Sequence, residues 1–300
     1  MLLAHPLRPL LPHDVLRAIF EYIYYDDKRA ALKLVLVSRV VQTWIELILY
    51  SVVNLHRETT SRAFLRTIET SRTKSRTFFA THVKSLCISY DIHNDRTARI
   101  ISVCKGITSL TFWVVPNTWN PSAYLLQPAI TAALGPLRPK KLSVLLHGVL
   151  GSPYPRFQLP FFEQISHLSV MNKWEDWTTW WGFEMLPCLT HLSFDLQVGP
   201  RALDKTTGRV ISQLIENVLA RCSQLQVCAL FLIFDPSPTG TAATLLDSMT
   251  VPDPRLVFLK ESDPFRDREA HSGREADIWK QAEHTVLRQN MGSGHVVCEI

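Results

Sequence analysis

The sequence has no Cys-x-x-Cys pair: its six cysteines stand at 87, 104, 188, 222, 228 and 298, and none groups with histidine at zinc-ligand spacing. The common zinc modules are thereby excluded, and reduced, mostly buried thiols are expected. Long apolar runs are also missing. Stretches such as 34–37, and 47–53 broken by Ser51, fall far short of the roughly 18–20 residues a membrane helix needs. No membrane span is expected. The opening Met1-Leu2-Leu3-Ala4 lacks a charged leader and runs into His5, Pro6, Arg8 and Pro9, which predicts no secretory signal and an intracellular location, cytoplasm or nucleus. No Gly-x-Ser-x-Gly elbow, His-Glu-x-x-His pair or glycine-rich phosphate loop occurs, so the usual signatures of hydrolases, metalloproteases and nucleotide enzymes are absent and no cofactor is implied.

Excess charge is modest too, with a net +5 over 300 residues. Arg57, Arg62, Arg66, Arg72, Lys74 and Arg76 gather in one polar segment with Glu58 and Glu69, with Phe64 the single aromatic among them and no recognised nucleic-acid module. That pattern reads as a solvated helix face rather than a nucleic-acid footprint. What is abundant is apolar residues, 46% of the chain, enough for one large or two modest domains with ample core.

The most specific stretch begins at Leu11-Pro12. Proline has no N–H and a fixed φ, so Pro12 suits a helix start, and Asp14 adds negative charge to the first turn. Val15, Leu16, Ile19, Phe20 and Ile23 then fall along one side of a 3.6-residue period, with Arg17, Glu21 and Tyr24 facing elsewhere. After Tyr25-Asp26-Asp27-Lys28 a second helix is expected through Ala31, Leu32, Leu34, Val35 and Leu36, and Ser38 can cap a third over 40–49. Three helices so short need a partner or a following domain to cover them, because units below roughly 40 residues seldom stay folded alone.

These residues, with Val37-Ser38-Arg39, Trp44 and Leu49-Tyr50, resemble an F-box over 10–55. The resemblance implies a docking module without chemistry of its own, whose opening Leu-Pro and apolar helix touch the Skp adaptor of a cullin-based ubiquitin ligase. Carried onto this chain, the adaptor contacts are Leu11, Pro12, Leu16, Ile19, Phe20 and Val37, with Trp44 and Tyr50 joining the two domains. The bland reading of the same residues is an ordinary amphipathic helical start to a larger core.

After residue 80 an apolar template recurs: Val83-x-x-Leu86-x-Ile88, Ile107-x-x-Leu110-x-Phe112, Pro139-x-x-Leu142-x-Val144, Ile165-x-x-Leu168-x-Val170, Leu189-x-x-Leu192-x-Phe194 and Leu225-x-x-Cys228-x-Leu230. The start-to-start steps are 24, 32, 26, 24 and 36 residues. Each template reads as a short strand, with helices expected between them at 97–104, 124–134 and 210–221. The alternation looks like degenerate leucine-rich repeats, parallel strands on one side and helices on the other. An ordinary α/β sheet fits it as well. Residues 255–260 are expected as a closing strand, and 276–289, with Ile278, Trp279, Ala282 and Val286 on one side, as a capping helix.

The predicted fold class is therefore α+β or α/β: a small N-terminal helical F-box-like domain followed by a degenerate leucine-rich-repeat-like α/β array with a C-terminal capping helix. The expected boundaries are 10–55 for the helical domain, 56–80 for a basic polar connecting segment, 81–290 for the repeats and 291–300 for a tail. This order resembles the F-box-like proteins of mushroom-forming fungi, a group usually assigned to recruiting substrates for ubiquitination.

Strand alternation sends the first, fourth and sixth template positions inward and the intervening ones outward. The outward set is small and polar with a few large anchors, and Trp113, His167, Met171, His191, Asp195 and Phe231 are the candidate target face. Coverage of these positions by the long insertions is the competing expectation. His167 and His191 share a template position, which explains their pairing without catalysis or metal. Trp174, Trp177 and Trp181 are expected on one face of a short helix, either as core over a repeat end or as an exposed aromatic patch.

On this reading the chain is a non-enzymatic adaptor that brings an unknown protein substrate to a Skp-type partner, with no nucleic-acid or membrane partner. The rival reading is a repeat-based interaction scaffold without ligase association. Exposure of the apolar face around Leu11 to Phe20 separates the two.

Overall fold

The computed structural model describes residues 11–27, 32–89, 92–113, 128–146, 154–198, 205–234, 249, 251–260, 274–291 and 297–299. The chain divides into two compact units, Met1–Val53 and Asn54–Ile300.

In the first unit, helix α1 (His13–Asp26) starts behind Pro12, whose carbonyl accepts the Leu16 N–H at 3.0 Å. A short helical turn at 32–34 follows, and Ser38 caps α2 (Arg39–Ser51), its Oγ accepting the Val41 N–H at 3.2 Å. The two helices close on Tyr24, Val41 and Ile45, with Phe20, Leu34, Val35, Trp44, Ile48 and Leu49 packed around them. One expectation is corrected here. Tyr24, expected to face away from the apolar side, is buried, because the row Phe20–Tyr24, one turn apart, faces α2. Trp44 packs within this unit, edge-on to His13 with ring centroids 6.1 Å apart.

Strand β1 (Val52–Leu55) crosses the boundary between the units. The second unit then places two helices, α3 (Glu58–Thr70) and α4 (Arg76–His82), where a connecting segment was expected. Phe64, Leu65, Ile68 and Phe79 are buried in them, so the segment is part of the core and only its outer face is basic. Its acidic residues are tied to the next helix, α5 (Asn94–Val103): Glu58 accepts from Arg96 and Glu69 from Arg99.

Eight strands build a parallel sheet in chain order: β2 (Ser85–Ser89), β3 (Ser109–Trp113), β4 (Lys141–Val144), β5 (His167–Val170), β6 (His191–Val198), β7 (Val227–Phe234), β8 (Leu256–Lys260) and β9 (Val297–Glu299). The chain is thus of the mixed α/β class. Helices α6 (Pro128–Leu134), α7 (Trp174–Trp177) and α8 (Lys205–Arg221) fall between strands, and α9 (Arg274–Asn290) lies between β8 and β9. Residues 297–299, expected in a tail, add the last strand. Of the helix expected at 124–134, residues 124–127 lie outside the described residues. None of the helices among the described residues is long and apolar enough to cross a membrane.

The apolar templates align in register across this sheet. Leu86, Leu110, Leu142, Leu168, Leu192, Cys228 and Leu256 form one buried row, and Ile88, Phe112, Val144, Val170, Phe194, Leu230 and Phe258 the next. A polar ladder runs beside them at the strand entrances. The carbonyls of Lys84, Thr108, Lys140, Ser166 and Thr190 each accept two successive backbone N–H groups from the following strand, at 2.8–3.1 Å. The hydroxyls of Thr108, Ser166 and Thr190 reach the same carbonyls at 3.1–3.2 Å. The backbone of each entering chain is therefore fixed to its predecessor before the strand begins, which holds the register that the apolar rows need.

Candidate functional site

The first unit presents an apolar face that none of its described residues covers. Leu11, Val15, Ile19 and Tyr22, spaced four, four and three residues along α1, are 43%, 41%, 43% and 72% exposed. That spacing stacks them into a stripe on the side of α1 opposite Phe20 and Tyr24. Leu32, Leu36, Val37 and Val40, around the start of α2, are also exposed, Leu36 to 86%. Full burial of a large apolar side chain is worth roughly 1.5–3 kcal/mol, stabilisation that this stripe does not gain from the described residues of its own unit. Arg17 and Glu21 flank the stripe and pair with each other at 2.6 Å.

Of the six residues assigned to adaptor contact, Leu11, Pro12, Ile19 and Val37 are exposed and Leu16 is half-buried. Phe20 is half-buried too and packs against the unit's core, its ring 6.4 Å from that of Trp44. Val15 and Tyr22 were missed as surface residues. The signal that could have found Tyr22 is its place in the i, i+4, i+8, i+11 series begun by Leu11.

The second unit offers the outward face of the sheet. Ser85, Ser109, Lys141 and His167 align in one row and Thr111, Ser143 and Ser169 in the next, all half-buried, and Met171 closes the patch with its Sδ 3.5 Å from the Ser143 Oγ. Beyond β5 the face is covered. Trp279, Ala282 and Val286 of α9 pack on Val227, Ala229, Val257 and Leu259, and Phe231 packs against the same cluster. His191 and Asp195 are consequently buried, so these two members of the candidate target face are corrected to interior positions. The side chain of Trp113 lies outside the described residues. His167 and Met171 remain partly accessible.

At the edge of α9 the imidazoles of His167 and His191 stack, and Trp279 meets both edge-on with centroids 5.4 and 5.3 Å away. The His191 Nε2 lies 3.0 Å from Glu283 Oε1, and its Nδ1 lies 2.8 Å from the Thr190 hydroxyl. A carboxylate cannot donate, so Nε2 carries the proton and Nδ1 can only accept; the single hydrogen of the Thr190 hydroxyl is then contested between Nδ1 at 2.8 Å and the Ser166 carbonyl at 3.1 Å. Burial, then the neighbouring His191 and Lys141, push the His167 pKa down to about 3. Burial also lowers His191, against the raising effect of Glu283. Both rings are therefore neutral at ordinary pH and act as packing surface for α9. Among the described residues no group of three or more histidine, cysteine or carboxylate side chains is placed to hold a metal ion.

The tryptophan segment divides. Trp177 is fully buried, its indole N–H donating to the Asp195 carbonyl at 3.2 Å, and Trp180 is buried beside it, whereas Trp181 is exposed. The single-face expectation for Trp174, Trp177 and Trp181 assumed one continuous helix, but α7 ends after one turn. Burial pushes the thiols of Cys104 and Cys228 up to about 12 and that of Cys222 to about 11, so they are inert at neutral pH. Comparison with protein-family models, with curated proteins and with solved structures finds no match to this chain.

Proposed function

We propose that this chain is a substrate-recruiting adaptor of a cullin-type, SCF-like ubiquitin ligase. Its N-terminal helices act as an F-box-like module that docks a Skp-type adaptor, and its sheet unit acts as a leucine-rich-repeat-like array that takes a target protein. The observation that carries this reading is the uncovered apolar stripe Leu11, Val15, Ile19 and Tyr22 on α1.

The in-order parallel strands and the carbonyl ladder support the repeat reading of the second unit, since β3 to β7 are each fixed to the preceding strand by the same contacts. On this reading the chain works in the cytoplasm or nucleus, where its free thiols stay reduced. Its contribution is proximity: it raises the effective concentration of a target beside a ubiquitin-charged enzyme and supplies no general base.

The test is co-purification of the intact chain with a Skp-type adaptor, alongside Ile19→Asp and the double variant Leu11→Ala/Pro12→Ala, each checked for folding by circular dichroism. Binding by the intact chain and its loss in the folded variants is the expected result. An intact chain that does not bind overturns the ligase reading and leaves an interaction scaffold.

A further inference from the structure

An arginine three residues ahead of a serine or threonine occurs four times in the chain: Arg57 before Thr60, Arg72 before Ser75, Arg99 before Ser102 and Arg209 before Ser212. An arginine-directed kinase reads that spacing, holding the guanidinium with carboxylates while the hydroxyl takes the phosphoryl group. Three of the four acceptors are held in helices. Thr60 lies in the first turn of α3, Ser102 in the last turn of α5 with its hydroxyl donating to the Arg99 carbonyl at 2.8 Å, and Ser212 inside α8, only 6% exposed. A helix separates residues three apart by only about 4.5 Å along its axis, whereas an extended segment spreads them about 10 Å. A cleft that grips both groups at once, one at the phosphate and one at its carboxylates, takes the extended form.

Of the four, Ser75 has that form. It ends the connection 71–75 between α3 and α4, which is neither helix nor strand, and its backbone is extended at both ends, with φ −64° and ψ 125° at Ser71 and φ −75° and ψ 166° at Ser75. Arg72, Thr73, Ser75 and Arg76 are exposed. The Ser75 Oγ accepts the Phe78 N–H at 3.2 Å and lies 2.6 Å from the Thr77 hydroxyl, contacts within one turn of chain that do not bury it. Both carboxylates of α3 are engaged elsewhere, Glu58 by Arg62 and Arg96 and Glu69 by Arg99. Arg72 is thus presented on an extended, accessible stretch at the spacing that such a kinase requires.

We propose that Ser75 is a phosphorylation site for an arginine-directed serine kinase, with Arg72 as the residue that the kinase recognises. The Ser75 Oγ attacks the γ-phosphorus of a nucleoside triphosphate and forms the new P–O bond. The bond from that phosphorus to the bridging oxygen breaks, the nucleoside diphosphate leaves, and the hydroxyl proton passes to a carboxylate of the kinase. The phosphate brings a charge of roughly −1.5 to −2 to a connection that carries Arg72, Lys74 and the adjoining Arg76, and so removes most of its positive charge. The inference is independent of the recruiter reading.

The test incubates the intact, folded chain with magnesium ATP and a purified arginine-directed serine kinase, and locates the phosphate by tandem mass spectrometry. Ser75→Ala and Arg72→Ala are run beside it, each checked for folding by thermal melting. The expected result is phosphate on Ser75, with Thr60, Ser102 and Ser212 unmodified, and little transfer to Ser75→Ala. Transfer to Arg72→Ala should be slower by at least about tenfold, with Arg72→Lys between. Ser75 remains the acceptor in both Arg72 variants, which separates recognition by the kinase from a change of fold. No transfer to the intact chain, transfer to any other hydroxyl in preference to Ser75, or an unchanged rate with Arg72→Ala overturns the proposal.

Discussion

His167 and His191 lie on neighbouring strands with their imidazoles stacked, centroids 4.1 Å apart and planes within 3° of parallel. Parallel pairing places equivalent positions of successive strands side by side, so a shared template position becomes a face-to-face contact. Two stacked imidazoles tolerate this only while neutral, and the buried edge of α9 keeps them so. The pair is a structural floor for the C-terminal helix rather than a site of reaction.

That floor makes stability depend on pH. His167 takes a proton near its ordinary value of 6.5 when the chain is unfolded, but only near pH 3 when folded. Between those values the unfolded state binds more protons, so the stabilisation is fully present above pH 6.5 and is lost progressively as pH falls toward 3. His191 shifts in the same direction. Urea midpoints measured across this window should fall with acid, and His167→Gln should flatten the slope. Equal slopes for the two proteins would remove the His pair from the account.

Trp279 should matter through its volume and not through its N–H. It is 3% exposed, and its Nε1 has no hydrogen-bond partner among the described residues. Trp279→Ala leaves a large void between α9 and β7–β8 and should cost about 3–5 kcal/mol. Trp279→Phe keeps most of the packing, sacrifices no hydrogen bond and should cost well under half of that. Denaturant unfolding gives the two values, and hydrogen exchange should show the loss concentrated in α9. Similar costs for both variants would mean that the indole N–H is satisfied in solution.

The strands were legible because each carries the same three inward apolar positions, as in Ile165, Leu168 and Val170 or Leu189, Leu192 and Phe194. Those positions face one side under any parallel register, so local pattern alone places them. What sits on the other side was not legible. The burial of His191 and Asp195 depends on where α9 lands, which is a long-range packing choice, although Trp279, Ala282 and Val286 did mark its apolar side. Residues 56–80 misled through their arginines: charge dominates the composition, while Phe64, Leu65, Ile68 and Phe79 carry the helical pattern underneath. The fates of Trp177, Trp180 and Trp181 turned on a backbone feature, the left-handed Gly182, that no side-chain periodicity registers.

The hydroxyl ladder was also missed, because Thr108, Ser166 and Thr190 look like ordinary polar residues before each strand. Its members should not be equal. The Thr190 hydroxyl lies 2.8 Å from the Nδ1 of buried His191 and 3.1 Å from the Ser166 carbonyl, and its one hydrogen goes to the nearer acceptor, Nδ1. Thr190→Val therefore leaves a buried ring nitrogen without its donor and should cost about 1–3 kcal/mol. The Thr108 hydroxyl is exposed and adds only a further bond, at 3.2 Å, to a Lys84 carbonyl that already accepts two N–H groups. Thr108→Val should stay within about 0.5 kcal/mol of the parent. Paired unfolding curves decide this, and a Thr108→Val cost equal to that of Thr190→Val would show that the hydroxyls act on the backbone turn and not on the histidine. The Thr190 variant carries a second readout: with Nδ1 unpaired, the His191 ring keeps a single hydrogen bond, to Glu283, so its imidazole resonances should broaden while those of His167 move less.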